Sequence, residues 1–378
     1  MESKTDIAIF LSSLAGGGAE RVLLYLAKRF YQRGLKVDTV LVSDNGPLNS
    51  IIDKNEVHLV KLNKSKPSKS LVVLRDYLKI NQPRTILSGL THANISCAFA
   101  CFISQCSEKL FLSEHINLTN DLLNRTSKFD AWLTTILIKL LYPRVNNVIA
   151  VSKGVADSVH RISRIPFEKI QVIYNPIDEK EIAFLSNHSV KFPWKDHSPI
   201  LISAGRLETQ KDFPCLLKAF SILRKRYPAH LVILGEGSQR KHLHQLSESL
   251  HISDDIWLPG FIKNPYPYLA KSRLFALSSH YEGLGNVLVE SLALGIPIVS
   301  TNCPSGPEEI LENGKFGRLV PVGDPIALAE AMDKSLSGDH PVFDQKEALR
   351  RFNPELITDQ YLEVLGFHNL PHLSQPLP

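Results

Sequence analysis

The chain has few cysteines and no long apolar run, and both absences narrow the functions open to it. Its 378 residues include five cysteines, an odd number without a Cys-x-x-Cys pair. A disulfide framework or structural zinc site is therefore not expected, and a reducing, cytoplasmic compartment fits better. We interpret Cys97 and Cys101, four positions apart, as buried core thiols rather than as a metal or redox pair.

The apolar runs are too short for membrane insertion or secretion. No stretch reaches the roughly 20 apolar residues of a transmembrane helix. The first apolar run, Ile7 to Leu11, is shorter than the apolar segment of a secretory signal peptide.

The net charge is +5, and the basic excess lies in the first half of the chain. Without interleaved aromatic residues, this excess does not predict nucleic-acid binding. One basic cluster there is either a solvated face or a peripheral contact with an anionic membrane surface, such as the inner face of the plasma membrane. It comprises Lys61, Lys64, Lys66, Lys69, Arg75 and Lys79.

Three phosphate-binding or metal-binding motifs are also missing. The chain has no Gly-x-Gly-x-x-Gly loop, no Walker loop and no Asp-x-Asp pair. The glycine turn at 16–18, with Gly17 and Gly18 before a helix, is therefore either a phosphate contact or an ordinary tight turn. Without an Asp-x-Asp pair to hold a metal–diphosphate complex, no metal cofactor is expected.

Two series of alternating strands and helices are present instead. The first opens with a strand at Ile7 to Leu11, a helix from about Ala19 to Arg33 and a second strand from Lys36 to Ser43. This is a βαβ unit. After a polar, proline-containing stretch, a similar series begins at Ile200. We predict two doubly wound α/β domains that bind ligands in the cleft between them. The predicted divisions are 1–180, a linker at 181–198, a second domain at 199–350 and a C-terminal helix and tail at 351–378.

Two acids, Glu282 and Glu290, mark the strongest candidate site. Eight positions along a helix place two side chains on nearly the same face. Glu282 lies beside a glycine-rich turn that predicts a helix start, and Glu290 lies within that helix. Helix N-terminal amides favour phosphate, and carboxylates accept hydrogen bonds from sugar hydroxyls. The pattern predicts a site for a phosphorylated, hydroxyl-bearing ligand.

Other candidates follow predicted strands. Arg206 and Lys211 suit a diphosphate, or they are surface charges on a solvated turn. Gly235 and the Phe261–Ile262 pair lie in turns that either contact a nucleobase or simply join a strand to a helix.

Three further segments have two interpretations each. The acids of the 305–310 segment are either sugar contacts or partners of a helix dipole. His115 binds a ligand hydroxyl or has a local structural role. The apolar helix at 131–143 is core or an element that dips into a membrane interface.

Together these motifs resemble the GT4 family of retaining glycosyltransferases with the GT-B fold. The resemblance covers nearly the whole chain. Its most specific part is Gly-Arg-Leu-x3-Lys-Asp at 205–212, followed by Glu-x7-Glu at 282–290 and Ala-Leu-Gly-Ile-Pro-Ile-Val-Ser-Thr at 293–301. The resemblance implies a first, acceptor-side domain, a second, donor domain, and a C-terminal helix that packs back toward the first domain.

The resemblance also implies roles for the candidate residues. Arg206 and Lys211 would neutralise the leaving diphosphate, Glu290 would hold the ribose, and Glu282 and His115 would contact the transferred sugar. Further donor contacts would come from Gly17, Gly18, Gly235, Phe261, Ile262, Gly283, Leu284, Gly285 and Asn286.

The implied reaction moves a hexose or N-acetylhexosamine from a nucleotide sugar, expected to be UDP-linked, to a glycan or polyprenyl-linked acceptor for surface polysaccharide or glycolipid. The alternatives are a GDP-mannose-dependent transferase, a GT-B relative such as an epimerase or phosphorylase, and a non-catalytic nucleotide-sugar-binding partner. A phosphorylase would need a pyridoxal lysine site, which is not recognisable in the sequence.

Overall fold

The computed structural model describes residues 5–14, 17–44, 46, 48, 57–368 and 370. Residue contacts divide the chain into two units. Unit 1 comprises residues 1–176 and 354–378, and unit 2 comprises residues 177–353. Gly16 of the predicted glycine turn lies outside the described residues.

Unit 1 is built on a parallel sheet of seven strands. Its strands are β1 (Ile7–Leu11), β2 (Val37–Leu41), β3 (His58–Lys61), β4 (Thr85–Gly89), β5 (Leu110–Glu114), β6 (Asn147–Ala150) and β7 (Ile170–Val172). They lie in the order β3-β2-β1-β4-β5-β6-β7. Most are short runs of Val, Ile, Leu and Phe, because helices bury both faces of a parallel sheet.

The helices of unit 1 connect these strands and cover the sheet. They are α1 (Gly18–Gln32), α2 (Leu71–Asn81), α3 (Thr91–Ile103), α4 (Leu118–Asn124), α5 (Lys128–Leu141) and α6 (Lys153–Ser163). The last helix of the chain, which we number α15 (Pro354–Val364), also belongs to this unit. Its Ile357, Tyr361 and Leu362 enter the core formed with β1 and α1. Arg33 Nη2 donates to both Glu355 and Asp359, at 2.7 and 2.8 Å. The predicted return of the C-terminal helix to the first domain is confirmed.

Unit 2 repeats the architecture with six parallel strands. They are β8 (Ile200–Ala204), β9 (His230–Leu234), β10 (Ile256–Gly260), β11 (Leu274–Leu277), β12 (Ile298–Thr301) and β13 (Arg318–Val320). Their order is β10-β9-β8-β11-β12-β13. The helices are α7 (Glu179–Ser186), α8 (Phe213–Arg224), α9 (Arg240–Ser249), α10 (Tyr266–Ala270), α11 (Asn286–Ala293), α12 (Pro307–Ile310), α13 (Pro325–Leu336) and α14 (Gln345–Leu349). The predicted doubly wound fold is confirmed in both units.

Residues 181–198, expected to form a linker, lie within unit 2. The segment begins inside α7 and then packs through its aromatic side chains. Phe192 meets Tyr268 edge to face, with ring centroids 5.7 Å apart, and Trp194 stacks on His230 at 4.0 Å. Trp194 Nε1 also donates to the Asp254 carbonyl at 2.7 Å. Aromatic contacts therefore attach this otherwise polar segment to the unit.

The strand order of each sheet reverses direction at one point. In unit 1 this occurs between β1 and β4, and in unit 2 between β8 and β11. The loops that leave two such strands run to opposite sides and open a crevice at the carboxyl edge of the sheet, where open α/β sheets bind ligands. Among the described residues, no helix is long and apolar enough to cross a membrane.

Candidate active site

The candidate site of unit 2 lies where its sheet reverses. Parallel pairing of β8 with β11 sets Leu201 opposite Leu274. The loop after β8 therefore leaves the sheet beside the loop after β11. The first loop carries Arg206 and Lys211, and the second carries Glu282, 71 residues later than Lys211.

Lys211 and Glu282 form an ion pair at this point. Lys211 Nζ lies 2.5 Å from Glu282 Oε1, and the two side chains are only 14% and 7% exposed. Ser279 Oγ donates to the same Oε1 at 2.6 Å. In the part of the chain that the structure describes, Glu282 Oε2 has no hydrogen-bond partner. One oxygen of the carboxylate thus holds the lysine, and the other remains available.

Backbone contacts fix the two loops to each other. Ser278 Oγ donates to the Lys211 carbonyl at 2.8 Å, and Gln210 Nε2 donates to the Tyr281 carbonyl at 2.9 Å. The His280 amide donates in return to the Gln210 carbonyl at 2.8 Å. Each bond ties residues next to the ion pair, so the pair is positioned before any ligand arrives.

The two acids of the Glu-x7-Glu pattern do not share a helical face, and that expectation is wrong. Helix α11 begins at Asn286, after Gly285 in the left-handed region at φ 91°. Glu282 therefore lies in the loop before the helix, where its side chain is set by Lys211 and Ser279. Glu290 lies within α11 and is half-buried. The glycine-rich turn, not helical periodicity, determines the direction of Glu282.

Arg206 lies at the edge of this site and is exposed to solvent. The nearby Glu208 accepts from the Ser238 amide at 3.0 Å and from Ser238 Oγ at 2.7 Å. These bonds, with a smaller contribution from the charge of Arg206, lower the pKa of Glu208. Glu208 is thus held mainly by Ser238, and the exposed Arg206 guanidinium is accessible to a ligand.

Two glycines allow loops at this sheet edge to touch. Gly235, with φ of 143°, follows β9, and a Cβ there would collide with the Gly205 carbonyl. Gly306, with φ of 96°, precedes α12, and a Cβ there would collide with the Leu284 carbonyl. No side chain fits at either contact. The 305–310 segment therefore packs directly on the glycine-rich loop that carries Glu282.

The remaining unit 2 candidates surround these loops. Phe261 and Ile262 follow β10, and Phe261 is 43% exposed. Gly283 and Leu284 are buried between Glu282 and the N-terminus of α11. In the 305–310 segment, Glu308 and Glu309 both lie in the first turn of α12. This position agrees both with sugar contact and with a role as partners of the helix dipole.

In unit 1, His115 follows β5 as predicted. Its Nε2 lies 2.9 Å from Ser113 Oγ, and its Nδ1 is buried without a hydrogen-bond partner. Burial lowers the pKa of His115 to about 4, so the imidazole is neutral at neutral pH. Gly17 precedes α1, and Gly18 is the first residue of that helix.

Glu114, the buried neighbour of His115, was not among the residues predicted from the sequence. Its carboxyl accepts from Thr91 Oγ1 at 3.0 Å, from Asn94 Nδ2 at 2.8 Å and from the Tyr142 hydroxyl. Desolvation raises the pKa of Glu114 to about 7, although the three donors act in the opposite direction. The available signal was an acid that ends an otherwise apolar strand.

Gln210 was also missed, because nothing in its local sequence shows that it bonds to Tyr281, 71 residues later. Ser279, which donates to Glu282 three residues later, was missed as well. Within the described residues, no cluster of three or more His, Cys, Asp or Glu side chains could hold a metal ion.

Comparison with known proteins assigns this chain to a family. The model of the glycosyl transferases group 1 matches residues 186–353, and the model of glycosyltransferase family 4 matches residues 16–181. The chain belongs to the group 1, family 4 glycosyltransferases. The resemblance stated from the sequence motifs is thereby confirmed.

Two named relatives of this chain are bacterial glycosyltransferases. One is the N-acetylgalactosamine-N,N'-diacetylbacillosaminyl-diphospho-undecaprenol 4-alpha-N-acetylgalactosaminyltransferase of Campylobacter jejuni. It is 29% identical over 88% of this chain and 90% of its own. A lipopolysaccharide core biosynthesis glycosyltransferase of Rhizobium meliloti is 31% identical over 58% of this chain and 64% of its own.

Solved structures share the GT-B fold. Anabaena HepE, solved with UDP and glucose, superposes with a TM-score of 0.75 over 96% of this chain and 99% of its own, at 20% identity. The lipopolysaccharide outer core galactosyltransferase WaaB, in its apo form, gives 0.70 over 95% of this chain and 99% of its own, at 19% identity. At these identities the likeness establishes the fold alone.

Proposed function

We propose that this glycosyltransferase moves a hexose or N-acetylhexosamine from a UDP-sugar to a glycan or polyprenyl-linked acceptor, with retention of configuration. The observation that carries the proposal is the Lys211–Glu282 pair at the reversal point of the unit 2 sheet, with Glu282 Oε2 available. The undecaprenol-linked substrate named for the Campylobacter jejuni relative supports the acceptor class. Surface polysaccharide or glycolipid synthesis at the cytoplasmic face of a membrane is the corresponding setting.

Arg206 and Lys211 stabilise the leaving diphosphate in this proposal. Negative charge develops on the diphosphate as the glycosidic bond breaks, and cations fixed in advance stabilise that charge most effectively. Lys211 is held by Glu282, so its remaining N–H groups can donate to phosphate oxygens. The exposed Arg206 offers a bidentate fork. The acceptor hydroxyl then attacks the same face of the sugar.

Glu282 and Glu290 position hydroxyl groups. Glu282 uses Oε2 to accept from the transferred sugar, while Oε1 keeps Lys211 in place. Glu290, on α11, accepts from the ribose. Neither acts as a general acid or base of the hydrolase type.

The other predicted site residues bind the donor through backbone or apolar groups. Gly235, Phe261 and Ile262 flank the base, and the amides of Gly283, Leu284, Gly285 and Asn286 contact the diphosphate. From unit 1, Gly17 and Gly18 add amide hydrogen bonds, and the neutral His115 contacts the sugar.

We also propose that no metal cofactor is required. The chain has no Asp-x-Asp pair, and Arg206 and Lys211 supply the positive charge that a metal would bring to the diphosphate. Turnover should therefore persist in excess EDTA, and restoration of a lost activity by Mg²⁺ or Mn²⁺ would contradict this part of the proposal.

The decisive test is a donor screen with mass detection. The intact chain is incubated with a panel of UDP-sugars and with GDP-mannose, each with polyprenyl-diphosphate-linked glycan acceptors. We expect release of UDP and an acceptor heavier by one hexose or N-acetylhexosamine. Turnover with GDP-mannose alone would overturn the donor assignment. Nucleotide binding without release from any donor and acceptor pair would indicate a non-catalytic subunit.

A further inference from the structure

Helix α5 of unit 1 is apolar on two opposite faces, although it lies at the surface. Its inward face buries Thr134, Ile138 and Leu141. Its outward face carries Phe129, Trp132, Leu133 and Leu140, which are 70%, 58%, 38% and 51% exposed. A surface helix normally places charged or polar residues on that side. The inward residues account for the packing of the helix, so the outward aromatic and aliphatic groups require another explanation.

The exposed stripe continues onto a neighbouring helix. The guanidinium of Arg144, which follows α5, lies 5.6 Å from the ring of Phe102 near the end of α3. Phe102 is itself 51% exposed. At the other end of α5, the rings of Phe129 and Trp132 are 5.8 Å apart. We call the side chains of Phe102, Phe129, Trp132, Leu133 and Leu140 the apolar patch. Exposed aromatic and aliphatic side chains clustered in this way mark an interaction site more often than singly scattered ones do.

The net charge around the apolar patch is positive. Lys128, Lys139 and Arg144 are all exposed, and within the described residues none of them forms an ion pair. The one acid of α5, Asp130, accepts from Arg125 at 2.6 Å, and Arg125 also bonds Asp121. Because Arg125 is shared by two acids, these three residues carry one net negative charge, against the three positive charges of Lys128, Lys139 and Arg144. Aromatic and aliphatic groups flanked by lysine and arginine match the boundary between headgroups and acyl chains of an anionic bilayer.

We propose that the outer face of α5, with Phe102 of α3, docks this enzyme on an anionic lipid bilayer. The helix lies in the plane of the interface, with Trp132 and its apolar neighbours among the upper acyl groups. Lys128, Lys139 and Arg144 then contact lipid phosphates. The surface is separate from the donor-binding residues of unit 2, so this inference does not depend on the identity of the sugar. It places the enzyme where a polyprenyl-linked acceptor resides.

The first experiment measures binding to vesicles by co-sedimentation. The full chain should bind vesicles that contain phosphatidylglycerol and bind pure phosphatidylcholine vesicles much more weakly. Trp132→Ser with Leu140→Ser should weaken binding about tenfold or more, since two large apolar side chains no longer leave water. Phe184→Ser, at a side chain 71% exposed in unit 2, is the matched control and should bind normally. Equal vesicle binding by wild type and the double variant would overturn the proposal.

The charge contribution is tested separately. Lys128→Ala with Lys139→Ala should weaken binding to the anionic vesicles by roughly 25-fold, about fivefold for each charge. Lys241→Ala with Lys346→Ala removes two exposed lysines of unit 2 and should leave binding unchanged. If both pairs weaken binding equally, the attraction is a property of net charge, and the assignment to this surface is wrong.

Tryptophan fluorescence reports the depth of insertion. Brominated lipids should quench the wild-type emission, and Trp132→Phe should remove that quenching because the other two tryptophans, Trp194 and Trp257, belong to unit 2. Persistent quenching in the variant would contradict insertion at Trp132. The proposal would be overturned in favour of self-association if the wild-type protein did not bind anionic vesicles but formed a dimer, and if Trp132→Ser abolished that dimer.

Discussion

The two units place an acid at the same kind of position but give it opposite surroundings. Glu114 ends β5 in unit 1, is fully buried, and is bonded by three uncharged donors. Glu282 follows β11 in unit 2 and is paired with the ammonium of Lys211. A buried carboxylate without a cation is costly to ionise, and the pKa of Glu114 is accordingly raised to about 7.

This difference between the two acids matches the ligand groups proposed for each unit. A diphosphate needs fixed positive charge, and a carboxylate that also holds a lysine can keep that charge in place without a ligand. The donors around Glu114 are uncharged and the imidazole of His115 is neutral at neutral pH, which suits hydrogen bonding to uncharged hydroxyls. One sheet topology, used twice, therefore supports a charged site and a neutral one.

The largest expected effect comes from breaking the charged site. Lys211→Ala should lower kcat/KM by roughly 2–4 kcal/mol of transition-state stabilisation, about 30- to 1,000-fold, the usual cost of losing one preorganised charge partner. UDP release from the best donor measures the change. Lys241→Ala, at an exposed lysine of α9, is the control and should be fully active. Near-normal turnover by Lys211→Ala, with its fold intact by circular dichroism, would refute the assigned role.

Neutralising Glu114 tests the other half of the comparison. Between its ordinary value near 4.5 and its folded pKa of about 7, the unfolded chain ionises this group before the folded chain does. The free energy of unfolding therefore falls as the pH rises through that window, and the loss persists above it.

Glu114→Gln should remove this loss, because the amide preserves the shape and Thr91 Oγ1 can accept from it. Relative to its difference at pH 4.5, the variant should gain up to about 3 kcal/mol over wild type by pH 8 in urea denaturation. His115 titrates in both proteins, so its contribution cancels in the difference. Parallel stability curves for the two proteins would show that folding does not raise the pKa of Glu114.

Replacing Gly306 tests whether backbone packing, as well as charge, stabilises the unit 2 site. Gly306→Ala should destabilise the protein by about 1–3 kcal/mol and lower activity, because the new Cβ collides with the Leu284 carbonyl. Gly323→Ala is the matched control: it also has positive φ, at 72°, but a Cβ there meets open space. Thermal unfolding of both variants separates the collision from backbone strain, and equal losses would rule the collision out.

The smallest effect is expected at His115. Its imidazole is neutral above about pH 4, so it can contribute a neutral hydrogen bond to the sugar and not a charge. His115→Ala should reduce kcat/KM about fivefold, the equivalent of one such bond. His92→Ala, at an exposed histidine on α3, should have no effect. An NMR titration that gives His115 a pKa above 6 would contradict the neutral assignment.

Much of the fold could be read from local patterns. The strand at Ile7–Leu11 and the helix expected from about Ala19 to Arg33, observed at Gly18–Gln32, were predicted closely, because continuous apolar runs and helical periodicity are local signals. The short strands β3 and β7 were not predicted, since edge strands with polar residues lack such runs. The aromatic attachment of residues 181–198 was not foreseen either, because it depends on partners far along the chain.

The sequence by itself determined the fold class, the family motifs and the identity of the strongest candidates, Arg206, Lys211, Glu282 and Glu290. Only the tertiary structure decided that Glu282 precedes its helix and that one of its carboxylate oxygens pairs with Lys211. The burial of Glu114 among neutral donors was likewise decided by the tertiary structure. Composition and periodicity describe neighbours along the chain. Charge, burial and the direction of a side chain depend on neighbours in space. Those neighbours come together because strands that are distant in the sequence pair side by side in each sheet.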